Sequence, residues 1–375
     1  MTSPELNENI EKLNKNPISK FFRWNGIGGS KELLKLAAPM LLSEGSNTIC
    51  MFIERIILGR YIVEGQQIGF DACVVSVSYS VIAVILWVLI GLTIYCAMQI
   101  AQRIGNNQDL VGETLWQGFY ASIIAAIFAA ALIPVVRPIL SFLSNNDDDD
   151  YMKNLINAEV NYSTIIMSLM IMFLLYNMSS LFFGAVSETT PVVIVNLVCV
   201  GINALLDYLL IIVFRLGYRG AAYAICSSKF IGVVIFMILI FRRRDFRDRF
   251  KLIKLSSLKP QIKFLIRAVL VGLMVGLVNG IDSFVWMMFL ILQQNVGEAA
   301  VTSAGYIASL YETIMIVIYG ISAALQLIAS KNIGNIDAIK NSILTGIKFI
   351  VPYAVIFVIL ELSLSFNNNS SGCWI

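Results

Sequence analysis

Long apolar runs, separated by short polar breaks, follow one another along nearly the whole chain. Each run has about the 20 apolar residues that a helix needs to cross about 30 Å of hydrocarbon, and Gly is scattered inside the runs as in membrane helices. An outer-membrane barrel would instead alternate apolar and polar residues in segments of about ten, and that alternation is absent. The pattern therefore predicts an all-α polytopic membrane protein.

Hydropathy predicts nine membrane spans in the chain. They lie at Leu33–Leu58, Ala72–Ala101, Gly118–Leu143, Val160–Gly184, Pro191–Phe214, Gly220–Phe241, Phe264–Leu292, Ala299–Ser330 and Ile343–Ser363. Composition agrees, because hydrophobic residues make up 58% of the chain and charged residues 14%, against about a quarter charged in soluble domains. The first 30 residues are polar, so we expect no cleaved signal peptide.

The distribution of Lys and Arg predicts the orientation, because short cytoplasmic loops are enriched in both. The densest basic run lies at Arg242–Lys259, and the N-terminal arm is also basic, whereas the acidic run Asp147–Asp150 falls on the opposite side. An odd count of nine spans then places the N-terminus inside and the C-terminus outside. The predicted organisation is a cytoplasmic arm (1–30), an N-lobe of six helices (31–241), a basic cytoplasmic linker (242–263), a partial C-lobe of about three helices (264–366) and a polar tail (367–375). Anionic-lipid binding is the alternative role for the basic linker.

Several classes of chemistry lack the residues they need. The chain has no His, which excludes Ser-His-Asp triads and His-ligated zinc or haem. It has no GxxxxGK[ST] phosphate loop, so no ATP-driven pump is encoded. The 6 Cys show no CxxC pattern and are interpreted as small buried side chains. We expect no enzyme activity, no cofactor and no metal site, and a net charge of +3 gives no reason to invoke nucleic acid.

A short motif occurs twice along the chain. Residues 99–106 (QIAQRIGN) close the second predicted span, and residues 326–335 (QLIASKNIGN) close the eighth. Six spans separate the copies, so both have the same orientation. Parallel repeats of this kind are a common plan for transporters, and the motif predicts two lobes related by a parallel pseudo-repeat.

Ionisable residues at bilayer depth are the candidate binding groups. Glu54 lies deep in the first predicted span and Asp207 inside the fifth, where a charge costs several kcal/mol and suggests function by default. Asn203 precedes Asp207 by four residues, so both lie on one helical face. An amide oxygen with carboxylates suits Na⁺ or a carboxyl that shares a proton. The alternative for Glu54, a pair with Arg55, has poor geometry because adjacent residues point about 100° apart.

The same residues carry a family resemblance. Leu36–Pro39, followed by acidic Glu54 and then by Leu58–Arg60, resembles the first helix of the multidrug and toxic compound extrusion (MATE) family. Leu181–Ala224 resembles the fourth-to-sixth-helix region of that family, and Asn203–Asp207 is its most specific part. The resemblance covers residues 31–340 and implies two six-helix lobes that export organic cations in exchange for H⁺ or Na⁺.

Two departures from the family pattern change what the resemblance implies. The family has twelve helices, whereas nine spans are predicted here, so we expect half of the second lobe to be missing unless a second chain completes it. Ile225 stands where the family's sodium site has Thr, which favours H⁺ as the coupling ion.

Further candidates follow from the resemblance and from chemistry. The family often has an acid near Asp282, which implies a cation ligand from the second lobe. Glu312 lies inside the eighth predicted span and is a candidate ligand for the same reason, although no family motif matches it. The expected ion- and substrate-binding set is therefore Glu54, Asn203, Asp207 and Asp282. Three aromatic residues are candidates to stack a planar cation, with plain packing or lipid contact as the alternative; they are Trp87, Tyr176 and Trp286.

Three functions remain at this point. The first is secondary antiport that exports organic cations or drugs, in the cell membrane. The second is a flippase for lipid-linked precursors of the same wider fold, which would need a wide cationic cavity, whereas the matched intramembrane charges here are acidic. The third is a truncated remnant that does not transport.

Overall fold

A computed structural model of the chain describes residues 29–61, 69–143, 150–254, 257–332 and 335–371. Helices dominate these residues, and no strand occurs among them. The predicted N-terminal arm up to residue 28, the acids Asp147–Asp149 and Cys373 lie outside the described residues. The helices are α1 (Ser30–Arg60), α2 (Phe70–Asn106), α3 (Val111–Ala131), α4 (Ile133–Leu143), α5 (Asp150–Ser168), α6 (Met170–Val186), α7 (Thr190–Asp207), α8 (Tyr218–Arg242), α9 (Arg244–Arg249), α10 (Ile262–Gln294), α11 (Glu298–Lys331) and α12 (Ile336–Ser371).

The all-helical, multi-pass prediction is confirmed. Over the described ranges, seven helices are long and apolar enough to cross a membrane, and eight are counted when the bent pair of α5 and α6 is one span. Helix α1 is not among them, although the first of the nine predicted spans falls on it. The physical reason is the polar run Ser43–Thr48 in its middle, which adds to the charged residues at both of its ends.

Three of the predicted spans are interrupted. The third breaks at Leu132 between α3 and α4, because Pro134 is tolerated in the first turn of a new helix but not inside an old one. The fourth bends by 48° between α5 and α6. The fifth changes after Asp207 from α-helix to the π-helical turn Tyr208–Val213. Such π segments often occur at functional sites, and this one follows a candidate ligand directly.

Helix α2 packs against α10 with the two backbones in contact. A methyl group added at Gly276 would lie 1.9 Å from the carbonyl oxygen of Val88, and one added at Gly91 would lie 2.2 Å from that of Gly272. Small residues at such positions allow membrane helices to approach closely. The Gly272–Gly276–Gly280 spacing was a visible signal for this contact that the hydropathy analysis did not use.

The chain forms two compact units. Leu42–Ile314 is one, and the residues up to Leu41 together with those from Met315 form the other. In the second unit, Leu33, Leu36 and Ala37 of α1 form an apolar cluster with Ile321, Ala324 and Ile328 of α11. The predicted lobe boundaries at 241 and 264 stay a prediction.

The described residues of the predicted basic linker contact the start of α3. Trp116 Nε1 donates to the Leu252 carbonyl at 2.9 Å, and Tyr120 Oη donates to the Leu258 carbonyl at 2.6 Å. Lys251 also forms an ion pair with Asp109. The two hydrogen bonds satisfy backbone carbonyls of a segment that has little regular secondary structure at these positions. Together with the ion pair, they hold this segment against α3.

The C-terminal segment differs from the prediction. Helix α12 continues to Ser371, whereas the predicted span ends at Ser363 and the predicted tail begins at Asn367. Within the second copy of the repeated motif, residues 333–334 lie outside the described residues. The cysteine interpretation agrees with the structure, because Cys73, Cys96, Cys199 and Cys226 are buried and Cys50 is half-buried.

Candidate cation site in the first unit

The polar cluster centres on Asp207, the last residue of α7. Its side chain is fully buried at 0% exposure. Asn203, one helical turn earlier, donates from Nδ2 to Asp207 Oδ2 at 2.7 Å. The other oxygen, Oδ1, is buried and has no hydrogen-bond partner among the described residues. One carboxylate oxygen is therefore held in place, and the other is left for a proton or a cation.

Asn203 is oriented by two further helices. Ser228 of α8 donates from Oγ to Asn203 Oδ1 at 3.1 Å, and also to the Ile225 carbonyl at 2.9 Å. Asn203 Nδ2 also contacts Cys50 Sγ of α1 at 3.2 Å. The amide oxygen thus points to Ser228 and the amide nitrogen to Asp207, so Asn203 acts on the carboxylate as a hydrogen-bond donor.

Glu54 brings a second carboxylate to the same place. It lies four residues after Cys50 on α1, is 5% exposed, and has a buried Oε1 without a hydrogen-bond partner among the described residues. Glu54 is close enough to Asp207 for the two carboxylates to repel each other electrostatically. Two anions cannot remain uncompensated in a low-dielectric interior, so the pair needs a proton or a cation.

A small cavity opens beside Glu54. Its volume is about 20 Å³, which is room for roughly one water-sized particle. Its lining includes Glu54, Ser76, Tyr79, Tyr162 and Ile225. The position of Ile225, where a hydroxyl was expected, therefore does face the site, and it contributes no oxygen.

Comparison with known proteins gives this arrangement a context. A family model described as MatE matches residues 36–209, a range that includes Glu54, Asn203 and Asp207. The "Probable multidrug resistance protein NorM" of Thermotoga maritima is 27% identical over 282 residues, which are 71% of this chain and 54% of that protein. The predicted resemblance to the MATE family is confirmed. The matched part of this chain spans about half of the length of this curated relative (54%).

Solved structures of MATE transporters have the same helical fold as this chain. One is an outward-facing conformation of a multidrug resistance MATE family transporter, with a TM-score of 0.71, 19% identity and coverage of 89% of this chain and 72% of that one. The eukaryotic MATE transporter AtDTX14 gives a TM-score of 0.69 at 17% identity, covering 84% of this chain and 68% of that one. At these identities the likeness concerns the fold alone.

Asp282 is not part of the Glu54–Asp207 cluster. It is exposed on α10 and acts electrostatically on Glu312 and Tyr311 of α11. Arg55 is the connection between the two groups of acids, because its charge acts on both Glu54 and Glu312. Its guanidinium also donates to the Gly305 carbonyl. The acid that the MATE resemblance implies in α10 is therefore present, but it lies with Glu312 and not with Glu54 and Asp207.

The three aromatic candidates have different surroundings. Trp87 is 39% exposed on the bundle surface, and Trp286 packs on Tyr311 with ring centroids 5.1 Å apart. Of the three, Tyr176 is the one associated with the polar cluster. The ammonium of Lys229, the residue after Ser228, lies 4.3 Å from the centroid of the Tyr176 ring. Tyr176 already has a cation on its face.

Sequence reasoning missed two ionisable residues inside the helical bundle, Lys229 and Glu159. Lys229 follows Ser228 on α8, in the middle of an apolar run, where its charge was a visible signal. Glu159 is fully buried at 0% exposure on α5. It was overlooked because it directly precedes the span predicted from Val160, and its burial is produced by contacts with other helices.

Proposed function

We propose that this chain is the cation-binding part of a secondary antiporter that exports organic cations in exchange for H⁺. The observation that carries the proposal is the convergence of Glu54 and Asp207, each with a buried oxygen that has no hydrogen-bond partner among the described residues. Such a pair is stable with one proton or one positive charge and unstable when empty. Binding of H⁺ and binding of an organic cation therefore exclude each other, which is the requirement for exchange.

The hydrogen bonds favour H⁺ over Na⁺ as the coupling ion. A sodium shell needs several oxygen ligands, but the Asn203 amide oxygen accepts from Ser228 at 3.1 Å and is directed away from the carboxylate. Ile225, which lines the cavity with Glu54, supplies none. A proton needs only one carboxylate oxygen and no coordination shell.

An anionic cargo, as for a lipid-precursor flippase, is the second candidate, and Lys229 is the observation that favours it. Its ammonium on the face of Tyr176 places a positive charge near the acidic cluster. One Lys against the two carboxylates leaves the acids in excess, and the ring face already compensates part of its charge. Cationic cargo therefore remains the better fit.

The test is transport by the purified chain in proteoliposomes with an imposed pH gradient. Ethidium, a planar cation, should be moved against its gradient, and a fluorescent organic anion of similar size should not. Proton release on addition of ethidium should accompany binding. Transport of the anion alone would reverse the assignment of cargo, and failure to move either probe under any ion gradient would contradict antiport by this chain.

A further inference from the structure

A second buried carboxylate lies apart from the Glu54–Asp207 pair. Glu159 of α5 accepts a hydrogen bond at Oε1 from Gln294 Nε2, the last residue of α10, at 2.7 Å. Its Oε2 is buried and has no hydrogen-bond partner in the described part of the chain. Ser163 is one turn further along α5, is also fully buried, and its Oγ likewise lacks a partner there. These two oxygens occupy one face of α5.

The surroundings of Glu159 are uncharged. Ser78 of α2 donates to the Glu159 backbone carbonyl at 3.2 Å, and no Lys or Arg of the described ranges forms an ion pair with Glu159. Arg137 of the neighbouring α4 is directed to Asn157, at 3.1 Å on the exposed side. A bare carboxylate with one neutral amide donor is strongly disfavoured in an apolar interior, so the stable form of Glu159 holds a proton.

The titratable groups on the helices packed against α5 do not change this conclusion. Basic residues among them are directed to other partners: Lys153 of α5 pairs with Asp150, Arg103 of α2 donates to the Leu110 carbonyl, and Lys229 of α8 lies on the Tyr176 ring. The others include Cys73 and Tyr79 of α2, Cys226 of α8 and Tyr162 of α5 itself. Thiols and phenols of these types are neutral near pH 7. None of them therefore supplies a positive charge that would keep Glu159 ionised.

A pocket beside Gln294 lies where α2 and α5 begin and α10 ends. Its volume is about 190 Å³, which is room for several waters. Gln294 and Asn295 line it from the end of α10, Tyr151 and Leu155 from α5, and Cys73 from α2. The amide that donates to Glu159 thus lies on the wall of a space that can hold several waters.

The same two helices lead from this pocket to the cavity beside Glu54. Tyr162, three residues after Glu159 on α5, lines that cavity, and Glu54 acts on Tyr162 electrostatically. On α2, Cys73 lines the outer pocket, while Ser76 and Tyr79 line the inner cavity. Glu159 therefore lies along α5 between the residues that line the two spaces.

We propose that Glu159 is a second proton-binding carboxyl, which takes protons from the Gln294 pocket and passes them to the Glu54–Asp207 pair. In uptake, a hydronium ion in the pocket gives a proton to a Glu159 carboxylate oxygen and becomes water. In transfer, that O–H bond breaks and an O–H bond forms on a carboxylate of the pair, so Glu159 is ionised until the next uptake. The proposal deepens the proposed function and rests on it for the fate of the proton.

Infrared titration of the whole chain in liposomes tests the proton on Glu159 without any transport. A carboxylic C=O band that exchanges in D₂O and disappears at high pH should occur in the wild type and in Asp207→Asn. It should be missing in Glu159→Gln, which keeps an acceptor for Gln294, and present in Glu159→Asp. A Glu159→Gln spectrum identical to the wild type over the whole pH range would overturn the proposal.

Transport kinetics test the passage of the proton. Proton-driven ethidium efflux by Glu159→Gln should be slowed about a hundredfold, as for the loss of a positioned proton-transfer group, while ethidium binding is unchanged. Glu113→Gln, a carboxyl at the other end of the bundle, is the matched control and should transport at the wild-type rate. Wild-type efflux by Glu159→Gln would contradict the relay. If the wild type transports nothing, antiport fails, and the infrared titration still decides whether Glu159 holds a proton.

Discussion

Asn203 Nδ2 lies 2.7 Å from Asp207 Oδ2, one helical turn away, while Asn203 Oδ1 accepts from Ser228 on the next helix at 3.1 Å. These two hydrogen bonds orient Asp207 at the junction between an α-helix and a π-helical turn. It leaves Oδ1 of Asp207 without a partner in the part of the chain that is described. The carboxylate is thus oriented by hydrogen bonds but is not neutralised by them.

The first prediction concerns Asp207→Asn. The amide keeps an oxygen that accepts from Asn203, but it can neither titrate nor carry charge. Because no Lys or Arg among the described residues forms an ion pair with Asp207, removal of the charge should leave the folded yield unchanged or slightly higher. Efflux, and proton release on adding ethidium, should be abolished.

Size-exclusion yield and a proton-release assay measure these two effects together. A lowered yield would show that Asp207 is a structural partner of a basic residue outside the described ranges. Normal yield with normal efflux would remove Asp207 from the site and leave Glu54 as its only carboxylate.

The second prediction concerns the coupling ion. Efflux driven by a pH gradient should proceed without sodium, because Ile225 and the orientation of Asn203 leave too few oxygens for a sodium shell. Ile225→Thr restores a hydroxyl at the cavity beside Glu54 and should introduce a sodium dependence, whereas Ile225→Val should not. A strict sodium requirement in the wild type would make the prediction wrong.

The third prediction concerns the α2–α10 contact. Gly276→Leu places a side chain where even a methyl group would be 1.9 Å from the Val88 carbonyl oxygen, so the helices must separate. Overpacking lowers the free energy of unfolding by about 1–3 kcal/mol in well-packed cores. We expect a loss at the upper end of this range, because the added side chain meets backbone atoms, which cannot move aside as a flexible side chain can. Gly201→Leu, with nothing within 4 Å of the added carbon, is the control. The melting temperature should fall only in the first variant.

The fourth prediction concerns topology. Nine spans place Cys373, which lies outside the described residues, on the external side, whereas eight would place it inside. An impermeant maleimide should label intact cells through Cys373, since Cys73, Cys96, Cys199 and Cys226 are buried. The Cys373→Ser variant should lose the signal. Labelling only after permeabilisation would show that the spans have been miscounted, and α1, which is not among the helices apolar enough to cross, would be the first candidate.

Local composition determined much of this protein. The length of the apolar runs fixes helices of membrane-crossing length, because no other open structure satisfies its backbone groups in lipid. The cost of charge at bilayer depth marked Glu54 and Asp207, and helical periodicity joined Asn203 to Asp207. All three properties are read within one segment, so they needed no tertiary contact.

Tertiary structure decided which segments meet. Ser228 and Cys50 became partners of Asn203 only because α8 and α1 pack beside α7, and Asp282 was placed in a different group of acids for the same reason. Glu159 precedes the span predicted from Val160 in sequence, yet it is fully buried in the fold and accepts a hydrogen bond from Gln294 of α10. Hydropathy averages over neighbours along the chain. Burial and hydrogen bonding depend on neighbours in space, which a single sequence does not specify.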